Sequence, residues 1–177
     1  QSGRFVYNYN DRDYFLRVST LPLSELNEGC VVRIFINELE DVEYSIFEED
    51  SQYINNLSKK ANGLILFSGP TGSGKSTSLY KLASELANMN KQVITVEDPV
   101  EKNIENLIQM QVNEKAGINY DNALKSILRC DPDAMVIGEI RDYKTASQVI
   151  TSAFSGHLVL STIHAEDSIG VINRLRD

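Results

Sequence analysis

Residues 69–76 read Gly-Pro-Thr-Gly-Ser-Gly-Lys-Ser and fit the pattern G-x(4)-G-K-[ST] in full. This pattern constrains the fold because its chemistry works only on a turn between a buried strand and a helix. Leu64-Ile65-Leu66-Phe67 before it reads as the strand, and apolar residues at helical spacing follow it. Gly69, Gly72 and Gly74 let the backbone curl until successive N–H groups converge on one anion. The helix start adds the positive end of its dipole. Lys75 is placed to reach β- and γ-phosphates and the Ser76 hydroxyl to ligate Mg²⁺, so the segment binds a nucleotide.

The 177 residues suffice for one sizeable domain with a small or partial one. A hydrophobic content of 42% with 24% charged residues is that of a soluble globular chain with a packed core. Apolar runs stay far below the ~20 residues of a membrane helix, and no charged-then-apolar leader opens the chain, so no signal peptide is expected. Cys30 and Cys130 have no metal-ligand spacing and read as two reduced thiols. A net charge of −8 argues against a broad nucleic-acid surface.

The chain changes character along its length. Residues 1–36 carry β-like runs, Phe5-Val6-Tyr7, Tyr14 to Val18 and Val31 to Phe35, and suggest the end of a small mixed or β-rich domain. Residues 37–60 are acidic and then polar, as in a linker followed by a short helix. Residues 61–177 alternate buried runs at 64–67, 93–96, 134–137 and 158–160 with helical patterns. Leu79, Leu82, Ala83, Leu86 and Met89 form one such pattern; Ala123, Leu124, Ile127 and Leu128 a second; Ala146, Val149, Ile150 and Ala153 a third. Ile108, Met110 and Val112 alternate with Gln109 and Gln111 as in a half-exposed strand. This is the pattern of an α/β domain, a parallel sheet with helices on both faces.

In such sheets ligands bind beyond the carboxyl ends of the strands. One strand ends in Glu97-Asp98-Pro99, another in Gly138-Glu139 with Arg141-Asp142 behind, and a third leads through Ser161-Thr162 to His164. Phosphoryl transfer to water needs one carboxylate to orient the water and another to hold Mg²⁺ through its waters. Glu97 and Glu139 are the candidates, and either fits either role. A single acid after a strand is commonly a turn or a helix cap, which is the reading given to Asp142. His164 sits where a γ-phosphate sensor belongs; His157 starts its strand and is less well placed. A histidine at a strand end is commonly a hydrogen-bonded structural residue, and neither has the spacing of a metal ligand.

Four stretches together resemble the bacterial secretion ATPases, the motor family of type II secretion, type IV pili and competence pseudopili. Gly69 to Thr77, that is Gly69, Pro70, Thr71, Gly72, Ser73, Gly74, Lys75, Ser76 and Thr77, resembles the family's Walker A loop. Ile94-Thr-Val-Glu-Asp-Pro-Val-Glu101 resembles its aspartate box. Leu128 to Asp142 resembles the signature around its atypical Walker B strand, and Gly156-His-Leu-Val-Leu-Ser-Thr-Ile-His164 its histidine box. The stretch after Pro22 is looser than the family's pattern, and Ala165-Glu-Asp-Ser168 replaces its usual Thr-Asn.

The resemblance implies a RecA-like P-loop domain at 61–177, C-terminally truncated. Ahead of it would come 1–36, the last part of a small mixed α/β, PAS-like domain. It implies ATP and Mg²⁺, with Glu97 as catalytic glutamate, Glu139 and Ser76 at the metal, and His164, less surely His157, as sensors. Arg17 and Arg33, and to a lesser degree Arg4, would contact ATP phosphates across a domain or subunit boundary; each arginine could instead be a surface ion pair. The family's four-cysteine zinc loop lies beyond the histidine box, so zinc is not supported by the residues present. The implied function is ATP hydrolysis that powers assembly of a pilus or pseudopilus. The motor would be a homohexamer at the cytoplasmic face of the inner membrane, docked on a platform protein, with no direct nucleic-acid contact. The rivals are a pilus-retraction motor, a type IV secretion or DNA-translocating ATPase, and a nucleotide-gated scaffold with little hydrolysis.

Overall fold

The strands of the second half that are covered on both faces carry apolar residues on both, and the computed structural model shows how these are buried. It describes residues 2–10, 12–24, 27–36 and 56–176. Two compact units are distinguished, Gln1–Asp41 with Glu101–Asn103, and Val42–Val100 with Ile104–Asp177. Most of the stretch read as a linker, 37–55, lies outside the described residues.

In the first unit, β1 (Ser2–Tyr9), β2 (Arg12–Ser24) and β3 (Asn27–Ile36) form an antiparallel sheet in that order. The strands are longer than the three apolar runs suggest, because polar residues such as Asn8, Ser19 and Thr20 continue the ladder. Period-2 alternation places Phe5, Leu16 and Ile34 in one register row and Arg4, Arg17 and Arg33 in the adjacent row.

In the second unit, β4 (Gly63–Ser68), β5 (Val93–Glu97), β6 (Ile108–Gln111), β7 (Ala134–Ile140) and β8 (Leu158–Ile163) pair in the order β4-β8-β7-β5-β6. All four pairings are parallel. Helices α1 (Lys75–Asn88), α2 (Tyr120–Leu128), α3 (Tyr143–Phe154) and α4 (Ser168–Arg176) accompany them. The last was not read from the sequence; none of its residues is fully buried, although Val171 and Leu175, four apart, pack against the core from one face.

The alternation divides the core in two. Val93, Ala134, Val136, Leu158 and Leu160 pack with Leu79, Leu82, Ala83 and Leu86 of α1. Their neighbours Ile94, Val96, Met135, Ile137 and Val159 pack on the opposite face with Leu124 and Ile127 of α2 and Val149 of α3. Such two-sided burial is what a parallel sheet requires. Met89 is half exposed because α1 ends at Asn88. At edge strand β6 Ile108 is exposed while Met110 packs on the second core. No helix among the described residues is long and apolar enough to cross a membrane.

Asp142 is the N-cap of α3, its carboxylate accepting from the Thr145 N–H at 2.7 Å. That backbone bond, reinforced by the Thr145 side chain, holds the Asp142 carboxyl below its ordinary range. A depressed folded-state pKa gives stability that is present above the unfolded value, 3.8, and is lost as pH falls through the folded one. Asp142→Ala is expected to cost about 1 kcal/mol near neutral pH. Denaturant melts of both proteins should show that difference shrinking below about pH 4. Leu82→Ala, a cavity in the α1 core, is expected to cost about 2–5 kcal/mol at any pH.

Candidate functional site

Parallel pairing puts the carboxyl ends of β4, β8, β7 and β5 on one edge of the second unit's sheet, and four motifs open there. The phosphate loop leaves β4 after Ser68. Gly69 has φ +151°, and a Cβ there would lie 2.6 Å from the Ser73 Oγ. Gly74, the residue before α1, is left-handed at φ 86°, and no side chain caps the helix. The first-turn N–H groups of α1 therefore point at the space where an anion would sit. The Lys75 ammonium donates to the Gly69 and Pro70 carbonyls, each at 2.8 Å, and so folds back along the loop it serves. Ser76 follows at the start of the helix.

Glu97 ends β5 and is only 3% exposed. Alternation puts Val93, Thr95 and Glu97 on the face covered by α1. The carboxylate accepts from Thr95 Oγ1 at 2.6 Å, from Gln109 Nε2 at 3.2 Å and from the Tyr80 hydroxyl. Thr95 pairs with Gln109 across β5 and β6, so both side chains share that face. A buried carboxylate without donors would cost several kcal/mol, and three donors offset it.

Glu139 is aimed by a bulge. Ile137 pairs with Ser161 and Ile140 with Ile163, so Gly138 and Glu139 together face Thr162. The hydroxyls of Ser161 and Thr162 donate to the carbonyls of Ile137 and Gly138, each at 2.7 Å, around the interrupted ladder. A Cβ on Gly138 would lie 3.5 Å from the Glu97 Cα, so the two acid-bearing strand ends are packed together. The Glu139 Oε2 accepts from Arg141 Nε at 2.7 Å, and its Oε1 lies 3.1 Å from His164 Nε2. Arg141 also approaches Asp98 at 4.0 Å. Its hydrogen bond to Glu139 is the main cause holding the guanidinium above its ordinary range, against burial.

The phenol of Tyr120, first residue of α2, feels this group of charges. Burial, and then Asp98, Glu139 and Glu97 against Arg141, push it up to about 12.

The structure thus gathers Glu139 and His164 in direct contact and sets Glu97 and the phosphate loop on the same sheet edge. It separates His157, which precedes β8 at the opposite edge. There its Nδ1 meets the Ser155 Oγ at 3.1 Å, in a cleft of 450 Å³ shared with Lys59, Lys91 and Asp133. The two histidines of the histidine box thus stand at the two ends of one strand, as their positions around the apolar run 158–160 indicated. Arg17 and Arg33 belong to the first unit, where they face each other across β2 and β3, with Arg4 in register beyond Arg17. Arg33 is exposed and Arg17 half-buried.

Sequence reading missed Tyr80, Thr95, Gln109 and Tyr120. The signal was there for Tyr80: a tyrosine in the apolar stripe of α1 must find a partner for its hydroxyl.

The whole chain, residues 1–177, matches the family described as Type II/IV secretion system protein. It is 40% identical over 178 residues to competence protein ComGA of Bacillus subtilis, covering 99% of this chain and 50% of that protein. It is 41% identical to type II secretion system protein E of Aeromonas hydrophila, with 100% of this chain and 36% of that protein covered. The chain therefore spans half, or less, of the length of these relatives. Among solved structures, the pilus retraction motor PilT with bound ADP superposes with a TM-score of 0.77 at 27% identity, over 98% of this chain and 50% of that one. The second unit has a RecA-like fold.

A Tyr120 phenol that is harder to ionise folded than unfolded stabilises the fold below its ordinary value, 10.0, and ceases to do so as pH rises to about 12. Difference absorbance titration of the chain against Tyr120→Phe is expected to place this ionisation near 12; a difference curve centred at 10.0 contradicts the placement.

Proposed function

The chain belongs to the Type II/IV secretion system protein family, and from that premise we propose that it is the nucleotide-hydrolysing portion of a motor that drives pilus or pseudopilus assembly. The observation that carries the reading is the joint placement at one sheet edge of an uncapped phosphate loop and two differently held acids. Identities of 40% and 41% to ComGA and protein E, against 27% to the retraction motor PilT, favour the assembly branch. A net charge of −8 disfavours a broad nucleic-acid surface on this chain, and salt-sensitive DNA binding would support the DNA-translocating rival instead.

The residues fit Mg²⁺-ATP. The loop N–H groups and Lys75 take the phosphates, and Ser76 with Glu139 would hold Mg²⁺, Glu139 through water. Among the described residues no three His, Cys, Asp or Glu side chains form a cage, as suits an ion carried largely on its nucleotide. When bound, Mg²⁺ supplies Lewis-acid neutralisation of charge on the β- and γ-phosphate oxygens.

Glu97 orients a water whose oxygen attacks the γ-phosphorus. The bond to the β–γ bridging oxygen breaks, and ADP and inorganic phosphate leave. Lys75 neutralises charge that builds on the transferring group. His164, in contact with Glu139, reports the state of the metal-side carboxylate. Arg17 and Arg33 place two like charges opposite each other, an arrangement that destabilises a sheet and that a bound phosphate relieves. By this reading they supply charge to nucleotide phosphates. The complete protein would work as a homohexamer against a membrane platform protein on the cytoplasmic face, converting closure and reopening into displacement.

Lys75→Ala and Glu139→Gln in the full-length oligomer are each expected to lower phosphate release by about a hundredfold or more. Wild-type turnover in both variants would sink the enzymatic reading. Arg17→Ala and Arg33→Ala are expected to lower kcat while leaving the melting temperature unchanged or raised, since each removes a like-charge contact. A fall in stability matching the fall in turnover would make them structural.

A further inference from the structure

We infer that Tyr80 is a positioning residue for Glu97, coupling the helix that starts in the phosphate loop to the acid at the end of β5. The inference rests on the reading of Glu97 as the group that orients the attacking water.

Three donors define how the carboxylate is held. The Oε1 accepts two, from Thr95 at 2.6 Å and Gln109 at 3.2 Å; the Oε2 accepts from the Tyr80 hydroxyl. An ionised carboxylate offers about four acceptor positions, two per oxygen. The Oε1 is filled, and one position remains, on the Oε2 beside Tyr80. The cradle thus fixes the plane of the carboxylate and selects the oxygen left for a water.

The donors differ in where they are anchored. Thr95 and Gln109 stand on β5 and its neighbour β6, so they move with Glu97. Tyr80 alone stands on α1. It lies four residues after Ser76, on the same face of that helix. Tyr80 is 3% exposed, one of the buried residues of α1, so the place of its hydroxyl is tied to that of the helix. The element that begins at the phosphate loop therefore sets the position of the free Oε2. Nothing in the phosphate-loop pattern requires a tyrosine there.

The test is Tyr80→Phe in the full-length protein, which deletes one oxygen, assayed with and without Glu97→Gln. Single-turnover phosphate release is expected to fall roughly ten- to a hundredfold, the loss of one hydrogen bond to a charged group. Affinity for a fluorescent ATP analogue should stay within about twofold, showing that loop and helix remain folded. In the Glu97→Gln background the same substitution is expected to add no further loss. Thr95→Ser, which keeps the hydroxyl, should retain turnover that Thr95→Val loses. Wild-type turnover of Tyr80→Phe, or an equal fold-loss with and without Glu97→Gln, overturns the proposal. If Glu97→Gln itself turns over as wild type, the reading of Glu97 as the acid that orients the water fails instead, and the two failures are told apart by that single variant.

Discussion

Parallel strand pairing is the constraint on which the rest of this molecule depends. When every strand runs the same way, each must return over a face of the sheet, so both faces are covered and every carboxyl end opens on one edge. The strand residues answer the first demand with two cores, Leu160 and Val136 toward α1 and Val159 and Ile137 toward α2 and α3. The second demand produces the candidate site: the phosphate loop, Glu97, Glu139 and His164 are distant in sequence and share one edge because β4, β8, β7 and β5 end together.

Within that edge the two acids are held by different physics. Glu97 is out of water and owes its place to hydroxyl and amide donors fixed on the sheet and on α1. Glu139 retains contact with solvent and is flanked by Arg141 and His164, pairs weakened by screening and by their own exposure. The first setting holds its carboxylate still, as the proposed water-orienting role of Glu97 would require; the second leaves Glu139 able to exchange its partners, as the proposed metal-side role would. The bulge at Gly138 and Glu139 creates this difference, because it turns Glu139 out of the β-ladder while Ser161 and Thr162 satisfy the carbonyls it exposes.

What could be read from the sequence divides along the same line. Features that follow from a local period were legible: the strand–loop–helix turn at 69–76, the three core-facing helices and the cap at Asp142. The positions of the acids at strand ends on one edge were legible because carboxyl ends share an edge in this topology. What was not legible depends on register, which no single segment carries. Gln109 reads as the solvent side of a half-buried strand, yet pairing with Thr95 turns it to Glu97. Val-Leu-Ser-Thr at 159–162 reads as a strand running out into polar residues, but all four are buried and two of them cap a bulge.

The arginines make the same point with charge. As separate residues, Arg17 and Arg33 are ordinary members of two strands in a chain whose net charge is −8. Register places them side by side, with Arg4 in line. Like charges facing each other across two strands are a cost in a free sheet, and the proposed phosphate contact of Arg17 and Arg33 would offset it, since an anion shared between guanidinium groups relieves their mutual repulsion.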